Sequence, residues 1–113
     1  MLDSLAGLAG ELRLAPNRTL TLLDVDPAAA PALRESLASL GLVVVPDSGW
    51  EGLSACAGMG ACAKAELDVR AAAAERAEQR GPGDPTEHWS ACERRCGEPA
   101  GVSLPVYPGH PLP

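Results

Sequence analysis

A chain of 113 residues makes one small domain or a piece of a larger one. It is 46% hydrophobic but has no Phe and only 3% aromatic residues, so its core is built from Ala and Leu and gains from an added staple such as a metal centre. A net charge of −6 excludes a general nucleic-acid or anionic-membrane binder, either of which needs a basic surface.

The elements follow in chain order. Leu2, Leu5, Leu8 and Leu12 recur at helical spacing and predict a short amphipathic helix. A strand is expected at Glu11–Ala15, broken by the turn signal Pro16-Asn17, with a second strand over Thr19–Val25. Asp26-Pro27 opens a helix that carries Leu33, Leu37 and Leu40 and stops at Gly41. Leu42–Val45 reads as a β-branched strand ended by Pro46. A loop with Trp50 follows, then an Ala-rich helix from Gly60 to Arg80, ended by Gly81-Pro82-Gly83. Thr86–Ser90 is expected as a short strand. The tail from Gly97 carries Pro99, Pro105, Pro108, Pro111 and Pro113 without periodicity and is expected to lack structure.

No apolar run approaches the ~18 residues of a membrane span. The N-terminus lacks the basic and apolar regions of a signal peptide, so the expected location is cytoplasmic. In a reducing compartment clustered cysteines bind metal or do redox chemistry more often than they form disulfides. The four cysteines form two pairs, Cys56-x5-Cys62 and Cys92-x3-Cys96, each at an element boundary. Gly58 and Gly60 allow the unusual φ that brings backbone N–H groups toward sulfur. Four thiolates suit a [4Fe–4S] cluster. Structural zinc also takes four cysteines, though its knuckles have shorter spacings than x5. Disulfides and four unrelated buried thiols complete the alternatives that spacing leaves open.

The residues around the cysteines narrow these alternatives. The segment Ser54-Ala55-Cys56-Ala57-Gly58-Met59-Gly60-Ala61-Cys62-Ala63-Lys64-Ala65 resembles the first cluster motif of the nitrite/sulfite reductase superfamily. His88-Trp89-Ser90-Ala91-Cys92-Glu93-Arg94-Arg95-Cys96-Gly97 resembles the second, and within that superfamily both look most like the precorrin-3B synthase family of aerobic cobalamin biosynthesis. Arg13-Leu14-Ala15-Pro16-Asn17-Arg18-Thr19-Leu20 is similar to a signature of the superfamily's ferredoxin-like half-domain. Two positions depart from the pattern: Ala91 stands where Gly is common, and Ala15 replaces Thr.

The resemblance implies an α+β fold. A nitrite/sulfite reductase ferredoxin-like half-domain would span residues 1–49, a [4Fe–4S]-binding α/β segment residues 50–100, and a Pro-rich tail residues 101–113. It makes Cys56, Cys62, Cys92 and Cys96 the ligands of a [4Fe–4S] cluster. The implied enzyme is an iron–sulfur oxidoreductase that uses O2 and an electron donor to hydroxylate precorrin-3A and close its lactone. A separate mononuclear non-haem iron would handle oxygen. If the chain is instead half of a nitrite/sulfite reductase, the cofactor is sirohaem, a haem-type group bridged through Cys96. A third reading is a non-catalytic iron–sulfur or zinc module. The resemblance also casts the chain as the cluster-bearing C-terminal half, a fragment whose N-terminal half would be a partner.

Arg94 and Arg95 sit between ligands and are candidates for meeting tetrapyrrole carboxylates. Arg13 and Arg18 are weaker candidates of the same kind. With a single companion, His110 in the tail, His88 does not make a Rieske site and reads as structural. Lys64 and Asp68 are expected to form an i,i+4 surface pair.

Overall fold

In the computed structural model, which describes residues 2–113, the chain is α+β and divides into two compact units, residues 2–45 and 46–113. The first begins with a single helical turn and a half, Leu2–Ala6 (α1). Glu11–Leu14 (β1) and Leu20–Leu23 (β2) form an antiparallel hairpin in which Glu11 faces Leu23 and Leu14 faces Leu20. The Pro16-Asn17 turn closes it, with Ala15 N–H donating to Thr19 O at 3.0 Å and Arg18 adopting a left-handed φ of 62°.

Ala30–Ser39 (α2) starts later than Asp26-Pro27 predicts. The Asp26 carboxylate takes the Ala28 N–H at 3.0 Å and holds a local turn, which delays the helix. Its end is as expected. Gly41 has φ 82°, its N–H donates to Ala38 O, and Leu42 N–H donates to Leu37 O, a Schellman arrangement. The strand expected at Leu42–Val45 is absent. Val43 and Val45 are exposed and have no strand to pair with, and β-branched propensity without a neighbour does not make a strand. Among the described residues of this unit Leu5 is the one buried hydrophobe, which is the thin core that the composition anticipates.

The second unit is a three-stranded parallel sheet of Leu53–Ala55 (β3), Glu87–Trp89 (β4) and Leu104–Val106 (β5), in that order. Val69–Gln79 (α3) crosses from β3 to β4 and buries Val69, Ala73 and Ala77, one residue per turn, against the sheet. The helix begins nine residues after the expected Gly60. Asp68 caps it by accepting the Ala71 N–H at 3.2 Å, so Asp68 serves the helix end and not a helical pair with Lys64.

Structure in the tail overturns the expectation of a disordered end. Pro105 sits in β5 because this is an edge strand: Leu104 N–H and Val106 O face β4, and proline's missing donor faces away. Its carbonyl, on that outer side, accepts from His110 Nδ1 at 2.9 Å. The tail therefore belongs to the second unit, whose boundary lies after Val45 and not after residue 49.

A buried ionic knot holds α3 to the sheet. Glu87, 1% exposed, receives Arg76 through Nε and Nη2 at 2.8–3.2 Å and the Trp89 indole N–H at 2.9 Å. Arg80 Nε lies 3.3 Å from the same carboxylate. The rest of the Arg80 guanidinium donates to the carbonyls of Gly49, Glu51 (2.9 Å) and Pro85 (2.8 Å), fastening the loop before β3. Gly49 must be glycine for that contact: a Cβ there would stand 1.8 Å from Ala77 O.

Candidate metal centre at the end of the parallel sheet

Parallel pairing sends the chain off one end of all three strands, and both cysteine loops start there. The ladder runs one step past the paired residues Ala55 and Trp89: Cys56 N–H donates to Trp89 O at 3.0 Å, and Ser90 N–H donates to Val106 O at 2.8 Å. Cys56 and Ser90 are therefore neighbours across the sheet edge.

The first loop is shaped by its glycines. Gly58 (φ 70°) and Gly60 (φ 88°) turn the chain, and Cys62 N–H closes the turn onto Gly58 O at 2.9 Å. Both ends of the loop are tied to one residue, Ala91. Its N–H points at Cys56 Sγ (3.3 Å) and its carbonyl accepts the Glu66 N–H (2.9 Å). Ala91 is 1% exposed and does not have a positive φ, so the methyl that replaces glycine here is accommodated without backbone strain.

Strand alternation sorts the side chains of β4. Glu87 and Trp89 face α3, while His88 and Ser90 face the other side. There Ser54 Oγ is 2.7 Å from His88 Nδ1, and His88 Nε2 is 3.2 Å from Cys96 O. A carbonyl only accepts, so Nε2 carries a proton, and in the neutral imidazole Nδ1 then accepts from the serine hydroxyl. His88, fully buried, thus pins the second cysteine loop to this face of the sheet. Its reading as structural matches that placement. Next to it lies Ser90, 2% exposed, whose hydroxyl oxygen is buried and has no hydrogen-bond partner among the described residues.

The second loop turns through Arg95 (φ 50°) and Gly97 (φ 75°). Arg95 is exposed; its Nε is 3.4 Å from Glu98, and its guanidinium lies 5.7 Å from the Tyr107 ring centroid. Tyr107 in turn stacks on His110 at 4.9 Å between centroids. Arg94 is exposed in the same loop. In the first unit Arg13 is exposed and paired with Glu11 at 3.0 Å, and Arg18 occupies the hairpin turn.

All four cysteines are free thiols, three half-buried and Cys96 exposed. The fold brings their two loops to one sheet end, yet among the described residues no three Cys, His, Asp or Glu side chains are grouped to hold a metal ion. The donor types, though not their placement, are those of a thiolate-bound cluster. The donor set is four thiols, and a backbone N–H already points at one sulfur. Drawing the four sulfurs together requires side-chain rotation or loop movement. A cleft of about 420 Å³ in the first unit, lined by residues that include Leu8, Leu23, Asp24, Asp26 and Leu33, contains none of the cysteines.

Sequence reasoning identified the cysteines but missed Ser54 and Ser90, and missed Glu87 with its two arginines. A signal for the latter existed: Arg76 and Arg80 are four apart on one helix face, opposite an acidic residue in a strand. No helix among the described residues is long and apolar enough to cross a membrane. No protein-family model matches the chain, and no curated protein or solved structure matches it.

Proposed function

We propose that residues 46–113 form an iron–sulfur module of a redox enzyme acting on tetrapyrroles, most similar to precorrin-3B synthase. The observation that carries the reading is Ala91, directly before Cys92, whose N–H points at Cys56 Sγ and whose carbonyl accepts the Glu66 N–H four residues past Cys62. Cys56, Cys62, Cys92 and Cys96 would hold a [4Fe–4S] cluster, which supplies one-electron relay when bound. The Ala91 N–H would donate to the Cys56 thiolate and His88 would hold the Cys96 loop in place. In the same reading the β1–β2 hairpin and α2 belong to a ferredoxin-like half-domain, Arg94 is available to a tetrapyrrole carboxylate, and the protein works in the cytoplasm with an electron donor.

Anaerobic purification of the full chain, followed by metal analysis and visible spectroscopy, tests this. The expected result is about four iron per chain and broad visible absorption that bleaches on reduction. Stoichiometric zinc with a featureless visible spectrum overturns the redox reading and leaves a non-catalytic metal module. Co-purifying sirohaem bands would move the assignment to a nitrite/sulfite reductase half.

A further inference from the structure

The outer edge of β1 has no strand on it among the described residues. Ala15 N–H donates to Thr19 O at 3.0 Å, and residues 15 and 19 continue the register that pairs Glu11 with Leu23 and Arg13 with Thr21. Hydrogen-bonded pairs alternate along an antiparallel ladder. Glu11 and Arg13 therefore turn their backbone groups toward β2, while Leu12 and Leu14 turn theirs outward. The edge strand β5 is blunted: Pro105 has no outward N–H, and its outward carbonyl is taken by His110. β1 carries no proline, and its Leu14 side chain is 82% exposed. A two-stranded hairpin is marginal by itself and gains from added strands.

We propose that β1 is a self-association edge, through which two copies of this chain pair antiparallel about a twofold axis at Leu12. Charge selects both that occupant and that register. With Leu12 opposite Leu12 of the second copy, Glu11 lies opposite the second copy's Arg13, and Arg13 opposite its Glu11. The Leu12 backbone points outward, so the central pair is hydrogen-bonded. The two charged pairs beside it are then of the closer, non-hydrogen-bonded kind, with Cα atoms about 4.5 Å apart. Glu11 and Arg13 share one face and already meet within the strand at 3.0 Å. Pairing gives each of them a second opposite charge across the interface. On the other face stand Leu12, Leu14, Leu20 and Leu22, none of them buried, and the pairing joins this row to the same row of the second copy. β2 also has an outer edge, but Leu20–Leu23 carries no charge to set a register. A twofold contact of this kind closes at two copies. It is independent of the metal-centre reading.

A contact limited to one strand is well below the roughly 20–30 residues a side of a standard interface, so the dimer is expected to depend on concentration. The test is sedimentation velocity of the full chain over a series from micromolar to millimolar, under reductant so that disulfides do not contribute. The mass is expected to rise from 11.6 kDa toward twice that value. Glu11→Arg turns both cross-pairs repulsive and is expected to weaken association about tenfold or more. Glu11→Arg combined with Arg13→Glu restores opposite charges across the axis and is expected to return the dimer. Leu14→Pro removes an outward N–H and spares the β1–β2 ladder, so it is expected to weaken the dimer while the circular dichroism spectrum is kept. A wild type that stays at 11.6 kDa throughout overturns the proposal. So does a dimer that Glu11→Arg and Leu14→Pro leave unchanged, or one that the double exchange does not restore.

Discussion

Glu87→Ala is expected to cost the fold about 3–5 kcal/mol, the range for removing one partner of a buried ion pair. Small domains have only about 5–15 kcal/mol in total, so the second unit would be near or past its unfolding threshold at room temperature. The size follows from what is left behind. The Arg80 side chain is fully buried and would keep its charge without a counter-ion, and the Trp89 indole N–H would lose its acceptor. Arg76 is partly exposed and can turn to water, so Arg76→Ala is the milder change. Urea denaturation followed by circular dichroism measures both; a loss below ~1 kcal/mol for Glu87→Ala would show that the knot is not what fastens α3 to the sheet.

Acid should weaken the same contact. Burial by itself favours the neutral Glu87 carboxyl, but hydrogen bonds from Arg76 and Trp89 and the charges of Arg76 and Arg80 outweigh it and hold the pKa below the ordinary glutamate value. The hydrogen bond to Glu87 raises the Arg76 pKa correspondingly, against the opposing effect of desolvation. A carboxylate with a depressed folded pKa contributes stability that is complete above its unfolded pKa, about 4.3 for Glu, and that disappears as pH falls through the folded value. The melting temperature is therefore expected to decline below about pH 4 in the wild type, with a shallower decline in Glu87→Gln.

What was legible in the sequence was local. Pro16-Asn17 marks the hairpin and Gly41 the end of α2, because each signal acts within a few residues of itself. What was hidden depended on partners distant in the chain. Leu42–Val45 has strand propensity and no neighbour, while Leu104–Val106 has a proline and does have one. Alanine content suggested a helix through Gly60–Asp68, but Gly58, Gly60 and the Asp68 cap decide where it can start. The cysteine pairs were legible as pairs. Their arrival at one sheet end was not, because it follows from β3–β4 pairing in parallel, which no spacing within either pair specifies.

Gly58→Ala is expected to damage that sheet end in two ways at once. At φ 70° an L-residue costs ~1–2 kcal/mol, and its Cβ would stand 2.7 Å from Val69 Cγ1. Val69 is fully buried at the first turn of α3, so overpacking against it adds about 1–3 kcal/mol. Relief by moving the loop outward would pull Cys56 Sγ from the Ala91 N–H and Cys62 N–H from Gly58 O. The strain thus falls either on the core or on the arrangement of the first cysteine pair. Thermal melting of Gly58→Ala, set beside Gly60→Ala, separates the causes. Gly60 shares the positive φ but has no atom within 4 Å of an added Cβ, so it reports the backbone cost alone. If both variants melt alike, contact with Val69 is not what fixes the loop. A larger loss of stability in Gly58→Ala means that the helix and the cysteine loop are locked through that one contact.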